Sequence, residues 1–286
     1  MSRNKKREEK AKRVENLVDV AIPVYGRYDA LDACLASLEG AFDNITYKVY
    51  ITDDASKDLE SVGNAYYKNL RQTHTKLAGL LQHKTNMGFG KSVNDSANLG
   101  SSKYILVCST DVVLLPGAVK IMVDHIEANP QIGIIAPKLL FMPNSNDPDR
   151  PAGRIQHAGM AFDVNRKPEH LFSGWPADHP YPNQVRDVTA ITGAVFLIRR
   201  NLFQGLKGFS LDYGKGGWED VDLSIRVRMT GAVIRFLPQA VAYHYAGLSF
   251  LTEKEGYPSR NESIFLAKFG SEIPYDNWLH WGPINE

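Results

Sequence analysis

The chain has 286 residues, 43% of them hydrophobic and 23% charged, enough to bury one large core or one core with a smaller lobe. Lys and Arg total 33 against 32 Asp and Glu, and a net charge of +1 lacks the basic excess that general nucleic-acid binding needs. The charge is uneven: seven basic and two acidic residues leave the first 13 positions at +5, either a solvated terminus or a head that rests on an anionic membrane or lipid-linked acceptor.

From Leu17 the chain reads LVDVAIPVY, a strand pattern stopped by Gly26, and then places Leu31, Cys34, Leu35 and Leu38 on one helical face. The unit recurs as YKVYIT with a helix near Asp58 to Leu70, LAGLLQ with a helix near Lys91 to Leu99, and YILVC with a helix from Gly117 to Glu127. A further strand, IGIIAPKLL, follows. Short strands alternating with crossover helices predict an α/β fold with a doubly wound, mostly parallel sheet, which binds ligands beyond the carboxyl ends of its strands. Residues 143–188 read as a loop-rich insertion, after which come VTAITGAVFLIRR, a helix over about Asp220 to Met229, and two short strands, VIRFL and AVAYH. The expected organisation is a basic tail over 1–16 and one domain over 17–286, with a nucleotide-binding half to residue 142 and an insertion plus acceptor and catalytic half from 143.

No apolar run of about 18 residues and no signal-peptide core follows the basic head, so a cytoplasmic chain is expected, with at most peripheral contact at the inner membrane face. Cys34 and Cys108 lie in apolar patterns and read as small buried hydrophobes, in keeping with a reducing compartment.

Chemistry is sought at the strand ends. The first strand closes on Pro23-Val24-Tyr25-Gly26-Arg27 and the second on Asp53-Asp54-Ala55-Ser56. Paired carboxylates there either accept hydrogen bonds from a base or ribose, or cap the next helix. The third is followed by Asn86-Met87-Gly88-Phe89-Gly90-Lys91-Ser92, which falls short of a phosphate loop because Thr85 occupies the required first glycine. Lys91 either touches a diphosphate or is a solvated lysine. The fourth runs into Ser109-Thr110-Asp111, whose carboxylate is a helix cap or a hard-cation ligand. The strongest signal is Trp218-Glu219-Asp220-Val221-Asp222 behind Tyr213-Gly214-Lys215-Gly216-Gly217. Three carboxylates suit a helix start, whose dipole is expected to keep Asp220 ionised. The last strand delivers His244 to its end. A dinucleotide dehydrogenase is excluded because the turn after the first strand lacks G-x-G-x-x-G.

In order, VAIPVYGR, ITDDAS, NMGFGKSVN, YILVCSTDVVLLPGAV, TGAVFLIRR, GWEDVDLSIRVRMTG and AYHYAGLSF resemble glycosyltransferase family 2, the GT-A group, and especially its rhamnosyltransferase-like branch, from about Val18 to Gly270. The resemblance implies an inverting transfer from a nucleotide diphosphate sugar to a hydroxyl of a glycan or lipid-linked saccharide, with Mn²⁺ or Mg²⁺. It implies a donor site around Pro23, Tyr25, Arg27, Asp53 and Asp54, with Asn86, Gly88, Lys91, Ser109 and Thr110 along the crevice and Thr192 and Gly193 at the sugar. Asp111 falls on the last position of the family's D-x-D motif, with Ser109 in place of its first aspartate, and His244 on the late metal or diphosphate ligand. Asp220 falls on the base, Glu219 beside it, and Trp218 and Asp222 on the acceptor side. The Ser109 departure keeps a second class open, a catalytically inactive sugar-nucleotide or glycan-binding module.

Overall fold

The computed structural model describes residues 17–245 and 257–279. The basic tail over 1–16 lies outside them, and with it the membrane contact expected of that tail. Among the described residues no helix is long and apolar enough to cross a membrane.

Strands and helices alternate through the first half as β1 (Val18–Val24), α1 (Tyr28–Phe42), β2 (Tyr47–Asp53), α2 (Asn64–Thr73), β3 (Leu77–Gln82), α3 (Phe89–Asn98) and β4 (Tyr104–Cys108). The stripe of Tyr28, Leu31, Cys34, Leu35, Leu38 and Phe42, at three- and four-residue spacing, is the buried face that makes α1 a helix. A π-helical turn, Leu59–Gly63, precedes α2, so the helix expected from Asp58 begins irregularly. A Cβ at Gly63 would overlap the Tyr28 hydroxyl, which explains the glycine.

β1 lies between β2 and β4, parallel to both, and β3 extends the sheet beyond β2. The chain thus moves outward from β1 to β3 and returns to the other side of β1. That reversal parts the loops after β1 and β4 and opens a crevice at their carboxyl ends. β5 (Val112–Leu114), α4 (Ala118–Ala128) and β6 (Ile132–Phe141) follow; the insertion contributes β7 (Ile155–His157), β8 (Met160–Phe162), β9 (Pro168–His170) and β10 (Arg186–Asp187). The remainder is β11 (Val195–Arg199), α5 (Arg200–Gly205), α6 (Glu219–Met229), β12 (Val233–His244) and α7 (Tyr257–Phe269). The main sheet runs β10-β12-β6-β11-β4-β1-β2-β3, with β5 on β12 and β7 on β6, while β8 and β9 pair separately.

The sheet is mostly parallel, as expected, with β11 antiparallel to both β4 and β6. One feature differs from the sequence expectation. VIRFL and AVAYH form one strand, β12, because a register shift between Leu237 and Val241 accommodates Pro238, which has no N–H for the ladder. Both sheet faces are covered: Val18, Val20 and Ile22 pack with α1 and α4, and Ala21 packs with Val93 and Ala97 of α3 on the other side. Cys34 and Cys108 are buried free thiols with Sγ atoms 3.7 Å apart.

Candidate active site

After β4 the chain turns through Ser109, Thr110 and Asp111 into β5. β5 pairs antiparallel with the end of β12, Val112 opposite His244, and the Tyr245 N–H donates to the Asp111 carbonyl at 3.1 Å. This ladder brings Asp111 Oδ1 to 3.3 Å from His244 Nε2. The other ring nitrogen, Nδ1, lies 2.9 Å from Gln156 Oε1 on β7. Burial opposes ionisation of Asp111, but His244, then a backbone N–H and then Arg27 outweigh it and hold the carboxyl below its ordinary range. Two ligands about 2.1 Å from one ion and at right angles stand about 3 Å apart, so this oxygen and nitrogen fit a small divalent cation. Among the described residues no cluster of three or more carboxylate, imidazole or thiol groups forms a closed cage. Such a site leaves coordination positions for water and substrate phosphates, as Mg²⁺ sites commonly do.

α6 begins at Glu219, preceded by Trp218 in the left-handed region at φ 79. Asp220 Oδ2 accepts the Gly193 N–H at 2.8 Å and Oδ1 accepts the Val221 N–H at 2.8 Å. Next along the chain, the Ala194 carbonyl accepts the Ser109 N–H at 2.8 Å. Two hydrogen bonds across Gly193 and Ala194 therefore join the Asp220 turn to the Asp111 turn. The antiparallel course of β11 makes this possible, since its first residue, Val195, sits opposite Cys108 at the end of β4.

At Asp220 burial acts against the helix start that was expected to keep the carboxyl ionised. Burial pushes its carboxyl up, against the Gly193 and Val221 N–H groups that favour the anion. Glu219 is 7% exposed and its Oε2 has no hydrogen-bond partner. Burial, reinforced by the Asp220 charge, pushes Glu219 up to about 8. Unequal surroundings thus split the pair: Glu219, with an unpartnered oxygen, is the better proton holder and Asp220, with two N–H donors, the better anion.

On the donor side the structure reassigns several residues. Asp53 is fully buried; Oδ1 accepts the Ser56 N–H at 2.9 Å, and Oδ2 accepts the Ser56, Tyr67 and Tyr28 hydroxyls at 3.0, 2.7 and 3.4 Å. These bonds occupy both oxygens, so Asp53 staples the loop after β2 instead of facing a nucleotide. Asp54 accepts the Met87 and Gly88 N–H groups at 2.7 Å each and meets His83 Nδ1 at 2.7 Å. It shapes the turn that carries Asn86. Gly88 is buried at φ 93, where a Cβ would overlap the Gly214 carbonyl, and its N–H is already given to Asp54. Its expected donor contact is replaced by a close approach between the two glycine-bearing loops. Lys91 Nζ meets both Asp95 oxygens at 2.5 and 2.6 Å, a partly exposed pair one helical turn apart.

Part-open surface at the strand ends belongs to Pro23, Tyr25, Asn86, Ser109 and Thr192, with Thr110 buried beneath. Arg27 is exposed, pairs with Asp29 at 2.9 Å and is close enough for its charge to stabilise the Asp111 anion. Asn86 Oδ1 has no partner. On the acceptor side Trp218 remains half-buried against Phe265, ring centroids 5.2 Å apart. Asp222 does not: it is fully buried and accepts from Tyr213 at 2.9 Å, Arg226 at 2.5 Å and Lys268 at 3.0 Å, which corrects its acceptor assignment to an internal ion pair.

Sequence reasoning missed Gln156, His83 and Asp95. Gln156 has no local signal, because its partner His244 lies 88 positions away. An open concavity of about 490 Å³ beside Gln131, Asn201 and Leu206 lies at the opposite end of the sheet. Its Arg199 is already bonded to the carbonyls of Ile132, Ile126 and Asn129.

The family model described as glycosyl transferase family 2 matches residues 19–204. The uncharacterized protein y4gI of Sinorhizobium fredii is 23% identical over 266 residues, 91% of this chain but 27% of that protein, so the chain spans about a quarter of that relative's length. An N-acetylglucosaminyl-diphospho-decaprenol L-rhamnosyltransferase of Mycobacterium tuberculosis is 25% identical over 260 residues, covering 80% of this chain and 76% of the relative. In fold, the chain is similar to GalNAc-T7 crystallised with UDP, GalNAc and Mn²⁺, with a TM-score of 0.67 at 13% identity over 93% of this chain and 50% of that one. With the family model spanning the sheet from β1 to α5, the chain belongs to glycosyltransferase family 2 and carries the GT-A fold.

Proposed function

We propose that this chain moves a glycosyl group, hexosyl or rhamnosyl, from a nucleotide diphosphate sugar to a hydroxyl of a glycan or lipid-linked saccharide, with inversion and with Mn²⁺ or Mg²⁺. The observation that carries the reading is the convergence of the Asp111–His244 pair and the Glu219–Asp220 pair at one end of the sheet, joined through Gly193 and Ala194. Asp111 and His244 would hold the cation, which when bound neutralises charge building on the departing diphosphate.

The chain's own groups do the rest. Pro23, Tyr25, Asn86, Ser109 and Thr192 border the donor, and Arg27 opposes the diphosphate charge. Asp220 takes the proton of the acceptor hydroxyl as that oxygen bonds to the sugar carbon and the bond to the diphosphate breaks. One displacement inverts the carbon, with no covalent sugar–protein stage. Glu219, the better proton holder, leaves Asp220 as the anion of the pair, and Trp218 walls the acceptor side. The lipid-diphosphate saccharide named for the mycobacterial relative supports the acceptor class.

Asp220→Asn keeps the shape and removes the proton acceptor, so it should bind donor normally and lose about two or more orders of magnitude in transfer rate. EDTA should silence the parent, and Mn²⁺ or Mg²⁺ should restore it. Near-parent turnover by Asp220→Asn would displace the base, and full activity in EDTA would displace the metal. A parent that binds sugar nucleotides yet neither transfers nor hydrolyses them would be the inactive binding module.

A further inference from the structure

One side chain of the insertion, Gln156, hydrogen-bonds to the candidate metal pair. β7 alternates as a strand must, with Ile155 and His157 buried and Gln156 between them half-buried on the opposite face. It is held antiparallel on β6, Leu139 opposite His157 and Leu140 opposite Ile155, while β6 runs parallel to β12 with Phe141 beside His244. The two ladders together bring Gln156 Oε1 to 2.9 Å from His244 Nδ1.

An amide oxygen can only accept, so the imidazole nitrogen facing it carries the hydrogen. A neutral ring with its hydrogen on Nδ1 keeps its lone pair on Nε2, the nitrogen 3.3 Å from Asp111 Oδ1. That tautomer is the one able to ligate a cation on the Asp111 side. We propose that Gln156 is a positioning residue of the metal site: by accepting the Nδ1 hydrogen of His244 it fixes the ring's orientation and presents the Nε2 lone pair beside Asp111. This inference rests on the proposed metal role of Asp111 and His244. It gives the insertion a function in the catalytic half, that of holding a ligand supplied by another strand.

A packing role and a positioning role separate by substitution. Gln156→Leu retains most of the volume and loses the acceptor, whereas Gln156→Glu retains an acceptor. The measurement is direct titration of the full chain with Mn²⁺, read by loss of the sharp EPR signal of the free ion. Gln156→Leu should bind Mn²⁺ about 10–100-fold more weakly than the parent, the usual cost of removing such a partner, and Gln156→Glu should restore binding to within about threefold. In transfer assays Gln156→Leu should need more Mn²⁺ for half-maximal rate while keeping most of its rate at saturating Mn²⁺. Should the Leu variant fail to fold, Gln156→Met tests the same loss. Parent-like affinity in Gln156→Leu, or weak binding in Gln156→Glu, overturns the inference and leaves the metal reading standing. A parent without Mn²⁺ binding that Asp111→Ala abolishes overturns the metal reading, and the inference with it.

Discussion

Replacing Glu219 by Gln removes a proton from a site that leaves Oε2 without a partner and where burial pushes the carboxyl from an ordinary 4.5 up to about 8. Between those values the folded chain keeps a proton that the unfolded chain has released. Folding then takes up a proton, and stability falls as pH rises by about 1.4 kcal/mol per pH unit. Because the folded value is the raised one, the stabilisation is complete below about 4.5 and is gone by about 8. Across that window the ceiling is about 5 kcal/mol, and sharing of the proton with Asp220 brings the expected change to about 2–5 kcal/mol. Glutamine has no proton to lose. Glu219→Gln should therefore match the parent at the acid end and gain on it steadily, ending more stable by that amount at the alkaline end. Urea unfolding of both proteins at several pH values across the window measures it directly. Parallel stability–pH curves would refute the claim that Glu219 is held protonated. At neutral pH the variant should also retain far more transfer activity than Asp220→Asn, since the residue it replaces is already uncharged there.

Asp222→Ala leaves Arg226 and Lys268, both partly exposed, without their shared anion, and should cost about 2–4 kcal/mol in denaturant unfolding while transfer per folded molecule is kept; a raised acceptor KM would return Asp222 to the acceptor site. Asp53→Ala strands the Ser56 N–H and the Tyr67 hydroxyl in the interior and should cost about 2–4 kcal/mol of stability. A nucleotide titration by thermal shift should leave the folded variant within about threefold of the parent, and a larger loss would restore the donor contact.

Much of the framework is legible in the sequence because each strand and helix carries its own period. The stripe from Tyr28 to Phe42 and the apolar run of β4 need no distant partner to be recognised. The site charges divide by the reach of their partners. Asp222 and Lys91 each have an opposite charge four positions on, Arg226 and Asp95, so helical spacing alone pointed to internal pairing. Asp54 offered no such cue, since His83 and Gly88 lie 29 and 34 positions away, and Asp53 adds to its local partner Ser56 a tyrosine, Tyr67, 14 positions on. Whether a carboxylate at a strand exit faces a ligand or its own fold depends on loops whose course only tertiary packing decides.

The meeting of the two carboxylate turns depends on a property that VFLIR does not display, the direction of β11. A short apolar run packs equally well in either sense within a buried sheet, and its composition is silent on the choice. Had β11 run parallel to β4, its first residue would sit at the amino end of the sheet, with Gly193 and Ala194 far from Ser109. Asp220 would then have no tie to the Asp111 turn, and the same motifs would be dispersed over the two ends of the sheet. Running antiparallel, β11 sets Val195 opposite Cys108, and the two residues before it bridge Asp220 to Ser109. The placement of the proposed base against the proposed metal pair is thus set by strand pairing, and side-chain chemistry acts on positions that the backbone ladders have already brought together.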